Sequence, residues 1–129
     1  MICLLAAIML YMVIPNHPDS QERDVFAAAL IEACSAMQLP ISNSNIDLMW
    51  AHFFRLTEAN RHFNLTRITS VAEAAVKHYA DSLSLLAMPL VGSRDRLSVL
   101  DVGTGGGFPA IPLAIMQKAW HITAIDGTG

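Results

Sequence analysis

The chain has 129 residues, which at ~100–200 residues per domain allows one domain, or a small one plus part of another. Apolar residues make up 53% and charged residues 15%, which excludes a disordered tail and a collagen-like fibre. Lys plus Arg number 8 against 11 Asp plus Glu, a net charge of −3, so composition does not announce a nucleic-acid binder.

Residues 1–14 (MICLLAAIMLYMVI) carry no charge. As a helix they would span roughly 21 Å, short of the ~30 Å hydrocarbon core. No Lys or Arg precedes the run and no small-x-small site follows it; Pro15-Asn16-His17-Pro18 comes next. The expectation is neither a signal peptide nor a membrane span. A buried helix, or an upstream stretch read from a misplaced start codon, accounts for it, and residues 1–18 are set apart as a segment of unclear role. Cys3 and Cys34 match no metal-ligand spacing and no disulfide framework, which points to a reducing, cytoplasmic compartment and to no metal site.

Asp19-Ser20-Gln21-Glu22 reads as a capped helix start. Val25, Phe26, Ala29, Leu30, Ala33, Cys34 and Met37 then recur at three- and four-residue steps, the stripe of an amphipathic helix that Pro40 ends. Ser44 with Asp47 predicts the next capping box, before Ile46, Met49, Trp50, Phe53, Phe54 and Leu56 on a second helix ending near Asn60. That aromatic face is expected to be core rather than an RNA stacking platform. Asn60–Thr69 is expected to be an ordered loop. Ser70-x-x-Glu73 opens a third helix, with Ala72, Val76, Tyr79, Leu83, Leu86 and Leu90 on its buried face. Gly92-Ser93-Arg94-Asp95 marks the boundary between a helical region, 19–95, and a second unit, 96–129.

The period then changes. Leu97–Val102 is a short β-branched run, as a strand buried on both faces should be. Gly103–Pro109 is a glycine-rich turn, 110–119 is a helix, and 120–125 is a second strand closed by Asp126-Gly127. Strand, turn, helix and strand make a βαβ unit, so the fold class is α/β: an N-terminal helical region followed by the start of a Rossmann-like sheet.

Glycines at a strand-to-helix turn let a ligand approach the backbone closely. A phosphate-binding P-loop would need Lys and then Ser or Thr where Phe108-Pro109 stand. A dinucleotide fingerprint would need a third glycine where Phe108 stands. S-adenosylmethionine remains. Asp101 offers a carboxylate for an ammonium group, and Asp126, at the second strand's end, suits ribose hydroxyls. Structural roles compete with this reading: Asp101 as a cap, Asp126 as a turn former.

Asn64-Leu65-Thr66-Arg67-Ile68, then His78 with Asp81-Ser82-Leu83, then Leu100–Ile115 with its Asp101-Val102-Gly103-Thr104-Gly105-Gly106-Gly107-Phe108-Pro109 core, resemble the bacterial RsmG/GidB family. The likeness covers about residues 20–129. Members of that family are 16S ribosomal RNA guanine-N7 methyltransferases, also called glucose-inhibited division protein B. The resemblance implies a Rossmann-like domain that binds S-adenosylmethionine and a partner in 16S rRNA of the small ribosomal subunit. It places the cofactor against Gly103, Thr104, Gly105 and Phe108, with Asp126 as the ribose acid. It also implies that Asn64, Thr66, His78, Asp81 and Ser82 line the same crevice or brace the loop. Ala110 departs from the glycine usual after Phe-Pro.

Each of these residues has a plainer alternative: a surface His78, an Asp81 paired with Lys77, loop hydrogen bonds at Asn64 and Thr66. The stretch 55–96 holds the basic residues Arg55, Arg61, Arg67, Lys77, Arg94 and Arg96, with His52, His62 and His78 in or beside it. It is one edge of a phosphate-contacting face or a solvated helical surface. Methyl transfer to N7 needs no general base, because N7 carries a lone pair and no proton, so no catalytic acid or base is expected. A doubly wound sheet needs further strands, so the chain is expected to be a C-terminally truncated piece, inactive alone. Two other readings stand beside this one: a Rossmann-like methyltransferase with another substrate, and a non-enzymatic helical interaction module.

Overall fold

The computed structural model describes residues 20–63, 67 and 70–127. The expectations for residues 1–19, for Asn64 and Thr66, and for half of the 60–69 loop lie outside the described residues. Three helical stretches pack together and carry a small parallel sheet at one side. They are α1 (Ser20–Ala36), α2 (Asn43–Phe63) and a third helix in continuous pieces. The third begins as α3 (Val71–Ala74), opens into a π-helical segment (Ala75–Ala80) and closes as α4 (Asp81–Ala87). A single turn, α5 (Pro89–Gly92), leads to β1 (Ser98–Val102), α6 (Ala110–Met116) and β2 (His121–Ile125).

The strands pair in parallel, Ser98 with His121 through Val102 with Ile125. The α/β class and the βαβ order are therefore as expected. Among the described residues no helix is long and apolar enough to cross a membrane.

One hydrophobic core runs through the helices and into the βαβ unit. At its centre Phe26 meets the edge of Tyr79 at 5.1 Å, stacks on Phe53 at 5.7 Å and tilts against Trp50 at 5.5 Å. The aromatic stripe of α2 is thus core, each large side chain contributing about 1.5–3 kcal/mol by burial. From the other end, Leu113, Ile115 and Trp120 close the same core.

Several local expectations are corrected. Ser42, not Ser44, caps α2: its Oγ accepts from the Asn45 amide at 3.2 Å. Asp47 is drawn away from any capping role by Arg23, whose guanidinium reaches it at 2.6 Å. The helix runs to Phe63, past the predicted end at Asn60. Ser70 stands at the start of α3 without a side-chain cap bond, and Glu73 pairs with Lys77 instead. Val25 lies exposed on α1.

Of the face expected to be buried on the third helix, Ala72 and Val76 are exposed, and Leu90 lies exposed beyond it on α5, while Ala74, Ala75, Tyr79, Ala80, Leu83 and Leu86 are buried. The π-helical segment holds more residues per turn than an α-helix. It therefore rotates the start of the helix, so that Ala74 faces inward beside Ala75 while Ala72 and Val76 do not.

Helix α6 stops at Met116 rather than at 119. The Ile115 carbonyl, which a longer helix would have given to the Ala119 amide, accepts instead from Asn45 Nδ2 at 3.3 Å. β1 is not buried on both faces. Its Leu100 and Val102 are 62% and 71% exposed, and Ile125 of β2 shares their side. Among the described residues, α6 and the core cover only the opposite face of the sheet.

Candidate functional site

The turn from β1 to α6 is held from two sides. On the sheet side the end of β2 grips it. The Gly103 amide donates to the Ile125 carbonyl at 2.8 Å, and the Thr104 amide to the same oxygen at 3.3 Å. The Gly105 amide donates to Asp126 Oδ2 at 2.7 Å. Inside the turn, the Gly107 and Phe108 amides both donate to the Thr104 carbonyl, at 2.9 and 3.1 Å.

The glycines divide by what surrounds them. Gly105 has φ +56°, and nothing lies within 4 Å of where a Cβ would stand; Gly103, at φ +77°, is equally open. Both leave bare backbone to an approaching ligand. Gly107, at φ +92°, is needed for packing: a Cβ there would sit 3.0 Å from Ile111 Cγ1 and closer still to Cδ1.

The helical side supplies the second grip. Phe108 stacks on His78 with ring centroids 4.7 Å apart and planes 16° apart. It meets Tyr79 edge-on at 5.1 Å and His52 at 5.3 Å. His52, only 5% exposed, is hydrogen-bonded at both ring nitrogens. Nε2 lies 2.9 Å from the Gly106 carbonyl and Nδ1 lies 2.7 Å from the Tyr79 hydroxyl. A carbonyl only accepts, so Nε2 carries the proton and Nδ1 accepts from Tyr79. Burial pushes the His52 pKa down to about 4, against the Gly106 hydrogen bond, which favours the charged form. His52 is therefore neutral and inside the molecule, not part of a phosphate-contacting face.

The sequence-predicted residues fall as follows. Asp101 Oδ2 accepts from the Ala110 amide at 3.3 Å, the capping role that stood as its alternative. Asp126 holds the loop through Gly105. Ser82 donates its hydroxyl to the His78 carbonyl at 2.5 Å and lies buried along the helix. The alternative pair of Asp81 with Lys77 is not formed, since Lys77 is taken by Glu73.

Lys77, His78, Asp81, Ser84, Phe108 and Pro109 line a cleft of about 330 Å³ together with Ser82 and Leu85. The helix carrying His78 and Asp81 thus shares one wall-to-wall cleft with the tip of the glycine turn. Burial pushes the His78 imidazole below its usual pKa, while the carboxylates of Asp81 and Glu73 pull the other way. Among the described residues no three His, Cys, Asp or Glu side chains converge on a metal site.

Sequence reasoning missed His52 as a loop contact. The available signal was spacing: His52 stands three residues after Met49 and four before Leu56, both on the buried stripe of α2.

A family model described as rRNA small subunit methyltransferase G matches residues 45–129, from the first turns of α2 through the glycine turn and β2. The chain belongs to this family. Curated relatives named ribosomal RNA small subunit methyltransferase G are similar over most of the chain. One from Bordetella pertussis is 36% identical over 105 residues, covering 78% of this chain and 46% of its own length. One from Anaeromyxobacter dehalogenans is 41% identical over 102 residues, covering 79% and 46%. One from Pelotomaculum thermopropionicum is 37% identical over 103 residues, covering 79% and 42%. The chain spans a little under half the length of these relatives.

Proposed function

We propose that the chain carries the glycine-turn part of an S-adenosylmethionine site, joined to the helical face that meets the target base, of a cytoplasmic enzyme methylating guanine N7 in 16S rRNA of the small ribosomal subunit. The observation that carries this is the open backbone at Gly103 and Gly105 beside an acidic strand end, in a chain whose relatives bear the rRNA methyltransferase name.

The residues present fit the cofactor. The two glycines leave space on their ligand side, and Asp126 is exposed at the strand end where ribose binds in such sheets. Thr104 Oγ1 is buried without a hydrogen-bond partner among the described residues, a polar group that a ligand or its water would satisfy. Gly103, Thr104, Gly105, Phe108 and Asp126 would hold the cofactor. Asp101, whose Oδ2 accepts from the Ala110 amide at the start of α6, would also offer its carboxylate to the cofactor's ammonium group. When bound, S-adenosylmethionine supplies an activated methyl group on sulfur.

Guanine N7 needs no deprotonation, so this chain's residues act by placement. The cleft between Phe108-Pro109 and Asp81 supports a position for the base. A carboxylate there can accept from guanine's adjacent N1–H and N2–H₂ donors, a pattern that adenine and cytosine lack. His78 would brace Phe108 from behind, and the family resemblance would add Asn64 and Thr66, outside the described residues, to the groups that line the crevice or brace the loop. By itself the chain would bind the cofactor weakly, since it covers less than half of the relatives' length and leaves Leu100 and Val102 exposed on one sheet face among the described residues.

The test joins this chain to the C-terminal part of the Anaeromyxobacter relative and offers labelled S-adenosylmethionine with unmodified 30S subunits. Label in one 16S guanine, with strand cleavage diagnostic of 7-methylguanine, is the expected result. Label in a small molecule or a protein but not in 30S rRNA would overturn the RNA substrate, and no transfer to any acceptor would favour a binding module.

A further inference from the structure

The three successive glycines at 105–107 have more backbone freedom to lose on ordering than residues with side chains. Such a run can flip a peptide unit at little steric cost. The peptides 105–106 and 106–107 both lack a flanking side chain to resist rotation, and the second, between Gly106 and Gly107, is the one that faces His52. Its two polar ends are both engaged. The carbonyl of Gly106 accepts from His52 Nε2–H at 2.9 Å, and the amide of Gly107 donates to the Thr104 carbonyl at 2.9 Å. A peptide unit is planar, so holding its carbonyl toward His52 aims its N–H the opposite way, toward Thr104. That contact closes the turn around Gly105, whose amide then meets Asp126 at 2.7 Å.

His52 is itself locked. The Tyr79 hydroxyl donates to Nδ1 at 2.7 Å, which leaves Nε2 as the nitrogen that carries the proton. The rings of Tyr79 and Phe108 hold the imidazole plane, at 5.7 and 5.3 Å. Tyr79 in turn sits in the π-helical segment, packed against Phe26.

We infer that His52 and Tyr79 are positioning residues for the glycine turn: the buried chain Tyr79 hydroxyl, His52 imidazole, Gly106 carbonyl sets the orientation of the 106–107 peptide and through it the ligand-facing backbone at Gly105. The inference concerns the same turn as the proposed cofactor site and takes its functional meaning from that reading. Neither residue touches the reacting atoms; both act through the backbone.

The experiment uses the 129-residue chain labelled with ¹⁵N. Long-range imidazole spectra of the unaltered chain are expected to show His52 as a single neutral tautomer protonated at Nε2. Tyr79→Phe, nearly isosteric, removes the donor to Nδ1. It should move the Nδ1 resonance and speed exchange of the Gly107 amide by about threefold or more, without equal change at Leu30 or Ile122. His52→Phe should speed Gly107 exchange by at least about tenfold, and His52→Gln, which keeps an N–H donor, should restore most of the protection.

S-adenosylmethionine is then titrated into the fused, full-size form of each variant, with the Gly103 and Gly105 resonances as readout. A weaker response in His52→Phe than in the unaltered chain, restored by His52→Gln, completes the expected result. Loop exchange that follows His52, with glycine resonances of the fused, full-size protein that never respond to S-adenosylmethionine, supports the positioning role and defeats the cofactor reading. Unchanged Gly107 exchange in both Tyr79→Phe and His52→Phe overturns the inference. So does a uniform loss of protection across the whole chain in Tyr79→Phe with no change at Nδ1.

Discussion

Asp126, at the end of β2, accepts a hydrogen bond from the amide of Gly105, 21 residues earlier, at 2.7 Å. An acidic strand end and the glycine turn before it are therefore one unit, tied by a carboxylate to backbone contact. Asp126→Ala should shift the Gly105 amide resonance and speed its exchange. The side chain is exposed, so the loss of stability in urea unfolding should stay below about 1 kcal/mol. In the fused, full-size protein the same change should weaken S-adenosylmethionine binding by roughly tenfold, measured by calorimetry. A tenfold loss of affinity with an unmoved Gly105 amide would separate ligand contact from loop support.

His52 predicts an acid-sensitive stability. Unfolded, its imidazole takes up a proton near the usual ~6.5. Folded, it refuses one until about pH 4. Below pH ~6.5 the unfolded chain thus binds a proton that the folded chain does not, and stability falls as the pH drops toward 4. The upper limit of this loss is roughly 3 kcal/mol. His78 lies nearby, is pushed in the same direction and is less buried, so it adds a smaller slope of the same sign. Urea midpoints measured between pH 7 and pH 4 should show the slope, and His52→Phe should remove most of it while His78→Phe removes less.

Gly105 and Gly107 both have positive φ but differ in space. Gly105→Ala meets no neighbour, so its cost is the left-handed backbone alone, about 1–2 kcal/mol. Gly107→Ala adds a clash with Ile111, which raises the expected cost to about 2–4 kcal/mol. Denaturant unfolding of the two variants should rank them in that order.

Leu100 and Val102 stand exposed on the open face of the sheet, whereas Leu83 is fully buried. Leu100→Ser combined with Val102→Thr should cost less than about 1 kcal/mol in this chain. Leu83→Ala should cost about 2–5 kcal/mol, because it leaves a cavity in the core. A large loss from the surface pair would show that this face is covered in solution.

Much of the architecture was legible because it rests on local patterns. The stripe from Phe26 to Cys34, the aromatic face from Ile46 to Leu56, and the switch from helical to β-branched residues at Leu97 all reflect periodicity. The glycine turn and Asp126 were legible through motif order. The misread details arose from contacts between distant residues. Asp47 looked like a cap until Arg23, on another helix, claimed it. The end of α6 depends on Asn45, seventy residues away in sequence. The inward turn of Ala74 depends on a π-helical segment, and a 3.6-residue period assumes that none exists.

The sequence by itself determined the α/β class, the three helical stretches before the βαβ unit, the family, and the residues of the turn from Asp101 to Pro109. These follow from side-chain spacing and from conformations that only glycine adopts easily, both of which are written residue by residue. The tertiary structure alone decided which groups meet that turn. It turned Asp101 into the support of α6 and joined Asp126 to Gly105. It also took His52, an ordinary-looking flank residue of α2, and buried it between Tyr79 and Gly106. A hydrogen bond needs two partners at about 3 Å, and only the packed chain sets that distance.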